Sequence, residues 1–175
     1  LAYRGGLELR SSNPMFVGIS GIEVLESGRV AAISDEADWI EARLGFDNRG
    51  YLTGFTDVRA AFMRDERGRV LSTKAEADSE GLAQLPDGRF AVSFERTQLI
   101  RIYDLNRDGP FGVAELGPRS EGAERLPDNA SFEALAAFDG AVITGAEGGE
   151  NPTTPIWIAP VGARTPVPAR YTYPL

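Results

Sequence analysis

Apolar residues in this chain come in short runs bounded by Gly, Pro, Asn and Asp, and no window keeps a helical spacing over three turns. The pattern predicts strands joined by tight turns. Its plainest instance is Asp78 to Arg96, DSEGLAQLPDGRFAVSFER. There Leu82, Ala83 and Leu85 form a half-buried run, Pro86-Asp87-Gly88 supplies a turn, and Arg89 to Phe94 returns as a second strand. Two other stretches repeat it. Ser20 to Arg29 continues through Val30 to Ser34 into Asp35-Glu36, and Glu133 to Gly140 continues through Ala141 to Ala146 into Glu147. Glu80 stands 60 residues after Ser20 and 53 before Glu133, and Glu36, Glu95 and Glu147 close the three hairpins at matching places. A period of this length fits a four-stranded propeller blade with its loops.

Extended over the chain, the pattern gives one strand within Leu1 to Arg10 and four in a first unit, near Gly21–Leu25, Val30–Ser34, Trp39–Phe46 and Leu52–Val58. A further hairpin is expected from Ala60–Arg64 and Val70–Ser72. The second unit reads as Gly81–Leu85, Arg89–Phe94, Leu99–Leu105 and Gly112–Leu116, and the third as Ala134–Phe138, Val142–Gly145, Pro155–Ala159 and Val167–Tyr173. Gly117–Asn129 and Gly148–Thr154 read as connections. The expected architecture is therefore all-β and β-propeller-like, with about three four-stranded blades in a single segment whose units span about 15–73, 74–124 and 125–175. Trp39 and Trp157 fall in third strands and are expected to pack in the core.

Composition narrows the chemistry. With 42% hydrophobic residues in 175, the chain can bury a core without disulfides. A net charge of −8 disfavours a nucleic-acid backbone or an anionic membrane surface as partner and favours a cation or a cation-bridged anion. No apolar run approaches the roughly 20 residues of a membrane span. The absence of cysteine and histidine excludes thiolate sites, histidine-based zinc sites and Ser-His-Asp catalysis, leaving carboxylates, Lys, Tyr or water for acid–base work. Gly18-Ile19-Ser20-Gly21 lacks the nucleophile-elbow spacing, and Asn129-Ala130-Ser131 matches a glycosylation acceptor pattern.

Repeat symmetry picks the candidate residues. Inner strands of a propeller line its axis, so Ser20, Glu80 and Glu133, which begin equivalent strands, are expected to converge at one axial mouth. Glu36, Glu95 and Glu147 form a second symmetric set, with Asp35, Asp38, Asp78 and Arg96 beside them. Converging carboxylates repel unless a cation joins them, and all-oxygen ligands suit calcium or magnesium. Glu80, Glu95, Glu133 and Arg96 are the candidates for catalysis, with Arg96 offering its donor fork to a phosphate. Asp35, Glu36, Asp78 and Glu147 are the candidates for metal binding. The same acids read equally well as blade-to-blade acceptors for backbone N–H groups or for Arg29 and Arg89. Separately, Asp104, Asn106, Asp108, Gly109 and Glu115 fit a twelve-residue calcium-loop pattern in every specified position. A strand on one side and Pro110 with Gly112 on the other make a turn between strands the competing reading.

The runs Tyr3-Arg4-Gly5-Gly6-Leu7-Glu8-Leu9, Asp78-Ser79-Glu80-Gly81-Leu82-Ala83, Val92-Ser93-Phe94-Glu95-Arg96 and Ser131-Phe132-Glu133-Ala134-Leu135 resemble the phytase-like family described as having esterase-like activity. The resemblance implies repeated β domains hydrolysing phosphate esters or diesters, a distant likeness to calcium-dependent propeller phytases, and a periplasmic or secreted location. It also implies a longer molecule. Three units cannot close a ring of four to eight blades, so the expectation is an N-terminal portion completed by a C-terminal half or by self-association, with the strand near Arg4–Leu9 latching the last blade. A non-catalytic propeller that binds a ligand or protein is the alternative.

Overall fold

The computed structural model describes residues 3, 5–147 and 153–174. Twelve strands form three antiparallel sheets of four, each in sequence order. The first sheet holds β1 (Ile19–Val24), β2 (Arg29–Ser34), β3 (Asp38–Phe46) and β4 (Leu52–Phe62). The second holds β5 (Ser79–Gln84), β6 (Phe90–Phe94), β7 (Leu99–Tyr103) and β8 (Glu115–Leu116). The third holds β9 (Phe132–Phe138), β10 (Ala141–Ala146), β11 (Thr153–Pro160) and β12 (Tyr171–Pro174). At the inner edge β5 packs against β1 on one side and β9 on the other, and the sheets fan outward from these strands. The fold is all-β and propeller-like, with three blades.

Two cores set the angles of the fan. Between the first and second sheets, Ile33 and Trp39 meet Leu82, Phe90, Phe94 and Tyr103. Trp39 stands edge-on to Phe90 and Tyr103, with ring centroids 5.9 and 5.4 Å apart. Between the second and third, Ile100 and Ile102 meet Phe132, Val142 and Trp157, and Phe132 stands edge-on to Trp157 at 5.7 Å. Alternation explains how one sheet serves both: Val92 faces the first core and Ala91 the second.

Several expectations change. Residues 5–10 form no strand; Leu7 and Leu9 instead lie, with Phe16, over the free face of the first sheet beside Ile22, Ile40 and Phe55, around a recess of about 550 Å³. Arg4 lies outside the described residues, as does 148–152 of the Gly148–Thr154 connection. The hairpin expected at Ala60–Arg64 shrinks to a single Arg64–Val70 bridge, because β4 runs on to Phe62 against Asp38. Short helices α1 (Lys74–Ala77) and α2 (Leu105–Asp108) appear where strands or loops were expected.

Candidate functional site: a carboxylate cluster at one end of the inner strands

Each inner hairpin carries a bulge at the same place. Ile19 pairs with Ser34 and Gly21 with Ile33, leaving Ser20 as the extra residue. Ser79 pairs with Phe94 and Gly81 with Ser93, leaving Glu80, and Phe132 pairs with Ala146 and Ala134 with Gly145, leaving Glu133. A bulge re-aims the side chain of its extra residue, and three equivalent bulges re-aim Ser20, Glu80 and Glu133 at the same end of the fan.

The next rung closes each hairpin through a backbone bond. Asp35 N–H donates to Gly18 O at 2.8 Å, Glu95 N–H to Asp78 O at 2.8 Å, and Glu147 N–H to Ser131 O at 3.0 Å. The register thus makes Asp35 the counterpart of Glu95 and Glu147. Glu36 lies one residue beyond, exposed, with its N–H on Ser34 Oγ at 3.3 Å. Ser20 to Asp35 spans the same 15 residues as Glu80 to Glu95, across turns of equal length, whereas the third hairpin turns on two residues, Asp139-Gly140, both at positive φ, and reaches Glu147 in 14.

Close approach of the inner strands brings the units together. A Cβ on Gly21 would lie 2.7 Å from the Leu82 Cβ, and one on Gly81 would lie 2.5 Å from the Leu135 Cβ and 2.6 Å from Ser93 Oγ. Only glycine permits this packing. Hydroxyls then cross between sheets: Ser79 Oγ donates to Ser34 O at 2.5 Å, Ser93 Oγ to Phe132 O at 3.2 Å, and Ser131 Oγ to Glu95 O at 2.5 Å.

Five acids from two units converge as a result. Ligand-capable oxygens of Asp78, Glu80 and Glu95 lie within 4.8 Å of one another, and so do those of Glu95, Glu133 and Glu147. Glu95 belongs to both sets. It is only 6% exposed, its carboxylate is met by the Ser131 N–H, and its Oε1 is buried without a hydrogen-bond partner. Burial raises its pKa, and Asp78 and Glu147 add to the rise. Glu80 is raised for the same first reason, then by Asp78 and Glu95, against a hydrogen bond from Ser20 that stabilises its charge. Glu133 rises most, to about 7, through desolvation and then the charges of Glu80, Glu95, Glu147 and Asp78.

Cations stand on one side only. Asp78, 2% exposed, holds Lys74 Nζ on Oδ1 at 2.5 Å and Arg96 Nε on Oδ2 at 2.7 Å. Lys74 also reaches Asp35 at 3.2 Å. Sequence reading missed Lys74; its i, i+4 spacing to Asp78 across α1 was the available signal. Arg29 pairs with Glu41 and Arg89 with Asp87 and Glu115, so neither serves the cluster.

Asp35 and Glu36 join neither set of acids. Nor do Asp104, Asp108 and Glu115. Asp104 caps α2 by accepting the Arg107 N–H at 2.9 Å, Arg107 pairs with Asp108 at 2.7 Å, and Glu115 pairs with Arg89 at 3.2 Å. Asn106 donates to Gly88 O at 3.4 Å. The loop spends these groups locally while joining β7 to β8. A recess of about 660 Å³, lined in part by Leu25, Pro86 and Phe138, lies at the opposite end of the inner strands.

A fan of bulged four-stranded sheets that gathers acids from two neighbouring sheets defines an all-β, propeller-like protein whose clustered carboxylates could hold a metal ion. The chain belongs to the phytase-like family, described as esterase-like activity of phytase, whose family model matches residues 14–175. No curated protein matches it closely enough to add a named relative.

Proposed function

We propose that the chain is part of a metal-assisted hydrolase of phosphate esters or diesters, working at the mouth of the axis around which the inner strands pack. The observation that carries this is Glu95, a buried carboxylate with an unpartnered oxygen and four further acids around it. Such an arrangement is unfavourable by itself and is relieved by a hard cation. Family membership supports hydrolysis.

A hard divalent ion, calcium in the first instance, would supply Lewis-acid stabilisation of charge on a phosphoryl oxygen. The protein's own part is proton transfer and positioning. Glu80, its pKa raised and its carboxylate oriented by Ser20, takes the proton of the attacking water. Arg96, steadied by Asp78, presents its guanidinium to the phosphate. Glu95, Glu133 and Glu147 keep that region negative enough to retain the ion.

A second reading, a non-catalytic module that binds a ligand at the same mouth, is favoured by Asp78 alone, whose two oxygens are already paired with Lys74 and Arg96. Assays on phosphomonoesters and phosphodiesters with calcium, with chelator and with Glu80→Gln separate the two. The hydrolase predicts turnover that is lost with chelator and falls by about 10²–10⁴-fold in Glu80→Gln. Calcium binding without turnover on either substrate class would leave the binding module.

A further inference from the structure

The two sets of acids that share Glu95 are not equivalent. In the Asp78–Glu80–Glu95 set, both Asp78 oxygens carry a cationic side chain, so an ion placed there would face the Lys74 ammonium and the Arg96 guanidinium. In the Glu95–Glu133–Glu147 set, no Lys or Arg among the described residues forms an ion pair with any member. The buried Oε1 of Glu95 has no hydrogen-bond partner, and a buried carboxylate oxygen left so is costly.

We propose that the five acids take one hard divalent cation, held by Glu95, Glu133 and Glu147, while Lys74 and Arg96 act as a built-in counter-charge on the Asp78 side and leave Glu80 off the ion. Glu95 is the fixed ligand, positioned by the close of the β5–β6 hairpin and by Ser131. Glu133 and Glu147 are exposed and can swing onto the ion, and water fills the remainder of a shell of six to eight oxygens. Glu80, hydrogen-bonded by Ser20, stays one carboxylate away, where it can act on water.

The inference rests on the reading that the cluster is a cation site, and one titration series distinguishes their failures. Calcium chloride, and separately magnesium chloride, is titrated calorimetrically into the chelator-stripped full chain and into its Glu133→Gln, Glu147→Gln and Glu80→Gln variants, with circular dichroism confirming that each is folded. The expected result is one ion per chain, binding weakened at least tenfold in Glu133→Gln and Glu147→Gln, and binding within about threefold of the parent in Glu80→Gln. Two ions per chain, loss of binding in Glu80→Gln, or unchanged binding in Glu133→Gln would overturn the one-ion assignment and leave the cation reading standing. No binding of either ion to the folded parent would overturn both.

Discussion

Glu133 is the residue at which the cost of the cluster is most concentrated. Desolvation and four neighbouring carboxylates lift its pKa from 4.5 to about 7, and burial lifts Glu95 and Glu80 in the same direction. A carboxyl whose folded pKa lies above its unfolded value binds more protons in the native state, so its contribution to stability is greatest below the unfolded value and is lost as pH rises through the folded one. Without a cation, the melting temperature is therefore expected to fall as pH climbs from about 4.5 to about 7. Acids with lowered values, Asp65, Asp87 and Asp108, act below their ordinary 3.8 and do not offset this. Glu133→Gln should flatten the decline and melt higher than the parent at neutral pH in chelator. Thermal melts across that range check it, and a parent as stable at pH 7 as at pH 5 would contradict it. In the sequence, Glu80 and Glu133 were legible as members of one converging set with Ser20, and Glu95 and Glu147 as members of a second set with Glu36, because acids recurred at similar spacings. Their counter-charges were not: Lys74 sits outside the repeated hairpins, and only the turn of α1 carries it to Asp78.

At the level of elements, the bulge does the positioning. Without an extra residue in β5 and β9, Glu80 and Glu133 would take their places in the alternation and face a neighbouring sheet instead of one another's carboxylates. Alternation and turn residues announced the strands of the hairpins. They could not announce a bulge, which leaves the hydrophobic pattern intact and shows only in the pairing. The same limit explains the misplacement of Glu36: in Asp35-Glu36 two adjacent acids offer themselves, and the register selects the first. At Asp104–Glu115 the calcium-loop spacing is matched, but Arg107 pairs with Asp108 and Arg89 with Glu115, as suits the competing reading of a turn between strands. Gly81 tests the positioning role directly. Gly81→Ala would force its new methyl against Leu135 and Ser93, spreading β5 from β9. An overpacking cost of about 1–3 kcal/mol in chemical denaturation is expected, together with weaker calcium binding. A variant that loses stability but binds calcium with unchanged affinity would show that the approach of these strands does not shape the site.

Across the whole molecule, two cores fix the angles between sheets, while the clustered carboxylates are gathered at one end of the fan. The second and third sheets with their flanking turns supply the acids, while the first supplies Ser20 to Glu80 and Asp35 to Lys74, so three sheets of one backbone plan contribute differently to the cluster. The free face of the first sheet is partly covered by Leu7, Leu9 and Phe16, and none of its apolar residues takes part in the cluster. No helix among the described residues is long and apolar enough to cross a membrane. The most direct test of the account is a crystal of the chain soaked in calcium and phosphate, with anomalous scattering used to locate the ion. The account predicts a calcium peak about 2.3–2.6 Å from oxygens of Glu95, Glu133 and Glu147, with phosphate on its open side toward Arg96. Carboxylates turned onto backbone or arginine partners, with no peak among them at saturating calcium, would contradict it.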